Sequence, residues 1–170
     1  ERALEGAGLP AGKIGLLVHG AVSRDFLEPA TAARVHALLA LAPSCAFFDL
    51  SNACLGLLSG IEVAASQIEL GAIEAALVVS GEDGRGLVEE TLAGLLAHPG
   101  DDASLRTALK LAFASLTIGS GAAAVVLAHE RLAPQAPRLV GGLTRVASEH
   151  HELCQGERAG AAGAQMNTDS

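Results

Sequence analysis

Apolar residues fall along this chain in short dense runs, separated by glycine, proline and polar clusters. That rhythm predicts strands alternating with helices. Residues 14–19, 46–50 and 75–80 are apolar runs of strand length, and 122–128 is a fourth built of small residues. Pro29 opens a helix over 30–42, with Val35, Leu38, Leu39 and Ala42 on one face, and Pro43-Ser44 ends it. Residues 87–97 form an amphipathic helix, and Ser104 caps a short helix reaching Phe113. Residues 81–86 read as a flexible loop, 98–102 as a surface turn and 117–121 as a tight turn. The first thirteen residues read as the end of a helix and a loop. Pro134 and Pro137 bracket a linker; 138–149 alternates weakly, as a last strand would; 150–170 shows no stable element. The division expected is therefore an α/β domain over 1–149 and a flexible tail or connecting segment over 150–170.

One stretch organises the rest. The buried strand ending at Leu50 meets Ser51-Asn52, residue types that cap helices, and a largely apolar helix follows as far as Gly71. Cys54 stands at that strand-to-helix turn, the cysteine counterpart of a nucleophile elbow. Backbone N–H groups and the positive end of the helix dipole favour a thiolate there, so the thiol pKa is expected below its usual ~8.5. The competing reading is a small buried hydrophobe. Gly56, Gly60 and Ala64 share one helix face. A glycine inside a helix costs ~1 kcal/mol against alanine, so close packing or room for a substrate is expected there. Ser59, Glu62, Ser66 and Glu69 make a narrow polar stripe on the same helix, as if protein surrounds most of it.

Composition narrows the function. The chain has 170 residues, half of them apolar, with only four aromatics, all Phe. That suits close-packed strands and helices and argues against disorder. A net charge of −8, with no basic block, argues against nucleic acid. No apolar run approaches the ~20 residues of a membrane span, and the first residues do not read as a signal peptide. Three cysteines without paired spacing point to reduced thiols and a cytoplasmic setting. No metal-ligand spacing is present, and no cofactor is indicated. The order of elements predicts a mixed sheet with helices on both faces, and ligands at the carboxyl ends of its strands. His19, His36, His98 and His129 have no acidic or cysteine partner nearby in sequence and read as structural. His150 and His151 read as solvated, and Cys45 and Cys154 as inert thiols.

Several collinear segments resemble the thiolase superfamily. Ser51-Asn52-Ala53-Cys54-Leu55-Gly56 and its preceding strand carry the likeness, with Thr117-Ile118-Gly119-Ser120-Gly121 and the strand after it. Val22-Ser23-Arg24-Asp25-Phe26-Leu27-Glu28-Pro29, Ile68-Glu69-Leu70-Gly71 and Ala136-Pro137-Arg138-Leu139-Val140-Gly141-Gly142 extend it over nearly the whole chain. Within the superfamily they are similar to the 3-oxoacyl-ACP synthase III branch, and to its acyl-CoA-condensing members of long-chain olefin biosynthesis. The resemblance implies a Claisen condensation of two fatty acyl-CoA molecules to a 2-alkyl-3-oxoalkanoic acid in a homodimer, with acyl-CoA as substrate. It implies Cys54 as the nucleophile that takes the first acyl group. It implies Glu28 as a general base that enters the partner subunit's site, because a simple acyl-CoA must lose a Cα proton where a malonyl donor loses CO2. Read without the family, Glu28 is an N-terminal helix charge beside Pro29.

The family fold has two similar halves in five layers, and this chain corresponds mainly to the first. The family's catalytic His and Asn lie on second-half motifs absent here, so the chain reads as a fragment expected to be inactive alone. Three other readings stand beside this one: a 3-oxoacyl-ACP synthase III using malonyl-ACP, a catalytically silent partner subunit, and an α/β binding domain.

Overall fold

The computed structural model describes residues 1–24, 26, 28–158 and 164–168. The chain divides into two compact units, Glu1–Glu82 with Gly121–Gly142, and Asp83–Ser120 with Leu143–Ser170.

The first unit is built on a four-stranded mixed sheet. Its strands are β1 (Leu16–Gly20), β2 (Ala46–Leu50), β3 (Ala75–Glu82) and β4 (Gly121–Ala128), in the order β2-β1-β3-β4. β1 runs parallel to β2 and to β3, and β4 runs antiparallel to β3. Central β1 is buried along its whole length. Alternation sends Leu17 to one face and Leu16 and Val18 to the other. On the first face lie α1 (Arg2–Ala7) and α2 (Thr31–Leu38), with Leu4, Ile14, Leu17, Ala32, Leu41 and Leu77 in the core. On the second lies α3 (Gly56–Glu69), its Ala64 and Ile68 packed on Leu16, Val18, Ala76 and Val78. The mixed sheet with helices on both faces is thus the arrangement the sequence predicts.

The glycine face of α3 serves packing rather than a substrate. Gly56, Gly60, Ala64 and Ile68 are its buried residues, one per turn on the sheet side. A Cβ on Gly60 would stand 2.7 Å from Val78 Cγ1. Glu62, Ser66 and Glu69 are exposed, and so are Leu55 and Leu58. Among the described residues the sheet covers one side of this helix, and its flanks are half-buried. α3 closes where predicted: Gly71 takes φ +71°, while the Gly71 and Ala72 N–H groups donate to the Ile68 and Gln67 carbonyls. α2 ends the same way, with Ala40 at φ +47° in place of glycine.

Other expectations fail for reasons of packing. β2 is an edge strand, not a buried one, and Phe47 and Phe48 are 42% and 38% exposed. α2 turns Thr31, Ala32 and Val35 inward and leaves Leu38 72% exposed, because it ends at that residue. Gly81 and Glu82 belong to β3, since β4 pairs with them through Ala122 and Gly121.

The second unit holds α4 (Arg85–Leu96), α5 (Asp102–Leu111), α6 (Phe113–Thr117), β5 (Cys154–Arg158) and β6 (Ala164–Thr168). α4, α5 and α6 pack against one another and against β6. Asp101, not Ser104, caps α5: its carboxylate accepts the Ser104 N–H at 2.9 Å, and Ser104 supplies the donor. Residues 138–149 form no strand. The tail expected to lack structure instead contains the antiparallel β5–β6 pair, which local alternation is too weak to reveal. Residues 159–163 and 169–170 of that tail lie outside the described residues, as does the Cys154 side chain.

Candidate active site

β1 and β2 end together, and β3 runs on past them to Glu82. Gly20 is level with Leu50, and His19 with both Asp49 and Val79. Three segments therefore leave one carboxyl edge: 21–30 after β1, 51–55 after β2, and the last residues of β3. Open α/β sheets place their ligands at that edge.

Cys54 stands in the second of these segments and is exposed. It occupies a single 3-10 turn, Ala53–Leu55, in front of α3 rather than the first turn of the α-helix itself. The turn is sharp. Ala53 takes φ +45°, a left-handed conformation costing a non-glycine residue roughly 1–2 kcal/mol, and Leu55 N–H closes the turn on Asn52 O at 3.0 Å. Strain immediately before an exposed thiol is the mark of a nucleophile elbow. Asn52 does not cap the helix as expected. Its side-chain amide donates to Ser59 Oγ at 2.8 Å, tying the turn to the flank of α3. Among the described residues no side chain caps α3; the 3-10 turn does so with its own backbone, the Gly56 N–H donating to the Ala53 carbonyl.

Two glycines set how closely the turn approaches the sheet. A Cβ on Gly20 would overlap the Gly56 carbonyl carbon and oxygen and lie 2.9 Å from Leu57 N. A Cβ on Gly56 would lie 2.9 Å from Gly20 C. The end of β1 and the start of α3 therefore touch backbone to backbone, and that contact places Cys54 at the strand edge.

Glu28 lies in the segment after β1, exposed, immediately before Pro29. Among the described residues its carboxylate has no hydrogen-bond or ion-pair partner. Asp25 and Leu27 of the family-like segment lie outside the described residues. Cys54 and Glu28 thus leave the same sheet edge from neighbouring strands.

Three further residues gather at this edge that sequence reading passes over. Asp49, near the end of β2, accepts the Thr31 and Ala32 N–H groups at 2.8 and 2.9 Å and so holds the start of α2. His19 lies beside Asp49 in the parallel register, with Nδ1 3.4 Å from Asp49 Oδ1 and both side chains buried. That approach lacks hydrogen-bond alignment and leaves Nδ1 unpartnered among the described atoms. His19 does therefore have an acidic neighbour, supplied by strand pairing across thirty positions of sequence. Glu82, at the end of β3, accepts the Val22 N–H at 2.7 Å, the Ser23 N–H at 2.9 Å and the Ser23 hydroxyl at 2.6 Å. Burial pushes the Glu82 carboxyl pKa up, but the Ser23 hydroxyl, the two backbone N–H groups and the charge of His19 outweigh it and hold it below the usual range. The legible signal was a lone ionisable residue near the carboxyl end of each apolar run.

The remaining titratable candidates have local structural partners. Cys45 is buried, its thiol pKa is pushed up by desolvation, and it is poorly suited to nucleophilic work. His36 Nε2 approaches Ala42 O at 3.2 Å, His98 Nε2 pairs with Ser104 Oγ at 3.1 Å, and His129 Nδ1 accepts the Arg131 N–H at 3.2 Å.

An exposed cysteine on a strand-to-helix turn at the carboxyl edge of a mixed sheet is an arrangement of thiolase-like folds, and comparison with known proteins shows that fold. The family profile of 3-oxoacyl-acyl-carrier-protein (ACP) synthase III matches residues 48–105. An acyl-CoA:acyl-CoA alkyltransferase of Xanthomonas campestris is 43% identical over 155 residues, 91% of this chain and 45% of that protein. A beta-ketoacyl-ACP synthase III of Sphingopyxis alaskensis is 37% identical over 132 residues, 78% of this chain and 35% of that protein. The crystal structure of a cysteine-to-serine variant of Xanthomonas campestris OleA, with bound lauric acid and lauroyl-CoA, superposes with a TM-score of 0.86 at 41% identity. It covers 98% of this chain and 47% of that one. Crystal structures of the same protein with a glutamate or a histidine replaced match equally well. The chain is thus thiolase-like in fold and similar to OleA and to 3-oxoacyl-ACP synthase III, and it spans about half the length of the acyl-CoA:acyl-CoA alkyltransferases it matches. No helix among the described residues is long and apolar enough to cross a membrane.

Proposed function

We propose that this chain supplies the nucleophile and the base of a condensing enzyme that joins two long-chain acyl-CoA molecules. The observation that carries the reading is the exposed Cys54 on its strained turn, at the carboxyl edge of an OleA-like sheet. Cys54 sulfur attacks the thioester carbon of the first acyl-CoA, and coenzyme A leaves with the thiol proton. Glu28 then removes a Cα proton from a second acyl-CoA. The carbanion attacks the acyl carbon on Cys54, a carbon–carbon bond forms, and the carbon–sulfur bond to Cys54 breaks. Water cleaves the remaining thioester to give a 2-alkyl-3-oxoalkanoic acid.

Sequence spacing supports both residues. The cysteine and the glutamate replaced in the OleA structures stand the same number of positions apart as Cys54 and Glu28. The replaced histidine lies farther beyond that cysteine than residue 170 lies beyond Cys54. Turnover by residues 1–170 alone is therefore not expected. In this reading the enzyme is a homodimer in which Glu28 serves the neighbouring subunit, and it needs no cofactor beyond its acyl-CoA substrates. The malonyl-using synthase is the second reading, favoured by the family profile. It releases CO2 as the carbon–carbon bond forms, whereas condensation of two acyl-CoA molecules does not.

The test is intact-mass spectrometry of the protein before and after incubation with a long-chain acyl-CoA, with Cys54→Ala alongside. An added acyl mass that disappears in the variant is the expected result. A folded full chain that takes no acyl group would overturn the nucleophile assignment and leave the silent-subunit reading.

A further inference from the structure

The proposed base sits on a segment held at both ends by carboxylates outside the reacting pair. Residues 21–30 join β1 to α2 and carry Glu28 near their far end. At the near end, the Glu82 carboxylate gathers three donors: the Val22 N–H, the Ser23 N–H and the Ser23 hydroxyl, all within 2.9 Å. At the far end, the Asp49 carboxylate takes the first two N–H groups of α2, those of Thr31 and Ala32. Glu82 is anchored in turn by its β3 pairing with Gly121, and Asp49 by its β2 pairing with His19. Both anchors therefore belong to the hydrogen-bonded sheet.

We propose that Glu82 and Asp49 are positioning residues for Glu28, fixing the two ends of its segment to the same sheet that presents Cys54. The inference rests on the reading of Glu28 as the base. An exposed carboxylate on an untethered ten-residue connection would sample many positions, and proton transfer at carbon requires one. A charged acceptor taking three hydrogen bonds restricts the segment far more than neutral pairs would. Glutamine cannot replace Glu82. Its amide nitrogen is a donor, so it would confront the Val22 or Ser23 N–H with another N–H.

The test separates the two half-reactions in the full chain. Acyl transfer to Cys54 is followed by intact mass, and condensation by product formation, in Glu82→Gln, Glu28→Gln, the double variant and Ser23→Ala. Positioning predicts that Glu82→Gln leaves acyl transfer within about twofold and slows condensation about 10- to 100-fold, the usual penalty for displacing a reacting group by an ångström or so. It predicts no further loss when Glu82→Gln is added to Glu28→Gln, since the group being positioned is already disabled. Ser23→Ala, which removes one of three donors and keeps the charge, should show a smaller loss in condensation alone. Equal slowing of acyl transfer and condensation by Glu82→Gln would overturn the proposal. So would the same loss in the Glu28→Gln background, or undiminished condensation in Glu82→Gln. If Glu82→Gln does not fold, unimpaired condensation by Ser23→Ala overturns it. Failure of the underlying reading looks different: Glu28→Gln by itself would condense at the normal rate.

Discussion

Replacing Gly20 by alanine tests the contact that places Cys54. The added methyl group would overlap the Gly56 carbonyl carbon and oxygen and stand 2.9 Å from Leu57 N. All three atoms are backbone, so no rotamer change can clear the space. Either the end of β1 or the start of α3 must move by close to an ångström, and both are tied into regular structure. Overpacking of this kind costs typically ~1–3 kcal/mol, and backbone against backbone belongs at the upper end. Alanine regains ~0.5–1 kcal/mol over glycine in a strand by restricting the unfolded chain. The net loss expected is thus ~2 kcal/mol, read as a lower urea midpoint at unchanged slope. Gly94→Ala is the control. Gly94 lies exposed within α4 with nothing among the described residues inside 4 Å of its would-be Cβ, so that variant should gain ~1 kcal/mol of helix propensity. Because the strained turn rides on the same contact, Gly20→Ala should also change the rate at which Cys54 reacts with iodoacetamide. A Gly20→Ala protein as stable as wild type, with Cys54 alkylated at the wild-type rate, would show that the backbone contact does not fix the turn.

Two other outcomes follow from local geometry. Ala40 holds the left-handed position at the end of α2, so Ala40→Gly should stabilise by ~0.5–1 kcal/mol; a loss on thermal unfolding would contradict the cap assignment. Glu82 has a folded pKa below its unfolded value, so its stabilising contribution is present above the unfolded value near ~4.3 and is lost as pH falls through the lowered folded pKa. Urea midpoints of wild type and Glu82→Gln should therefore differ at neutral pH and converge in acid; a gap that persists once the carboxylate is protonated would mean that the charge is not what holds Val22 and Ser23.

Much of this protein was legible from residue order. The runs at 14–19, 46–50, 75–80 and 122–128 became the four strands of one sheet, because short apolar runs bounded by turn residues have few other ways to bury themselves. Ser51 to Gly56 announced the cysteine turn, and Gly71 closed the helix after it, since backbone signals of this kind act over four or five residues. Only tertiary structure decided the rest. The edge position of β2 left two phenylalanines half exposed, and nothing in an apolar run distinguishes an edge from a centre. The glycines of α3 proved to be a packing face because β1 and β3 lie behind them. Asp49 and His19 met because parallel pairing brings distant strand ends level, and Glu82 reached Val22 and Ser23 because β3 runs on beside the end of β1. Sequence by itself determined which residues could react, for a thiol and a carboxylate keep their chemistry wherever they stand. What it left open was which groups hold them in place, because those partners are neighbours in space and dozens of residues apart along the chain.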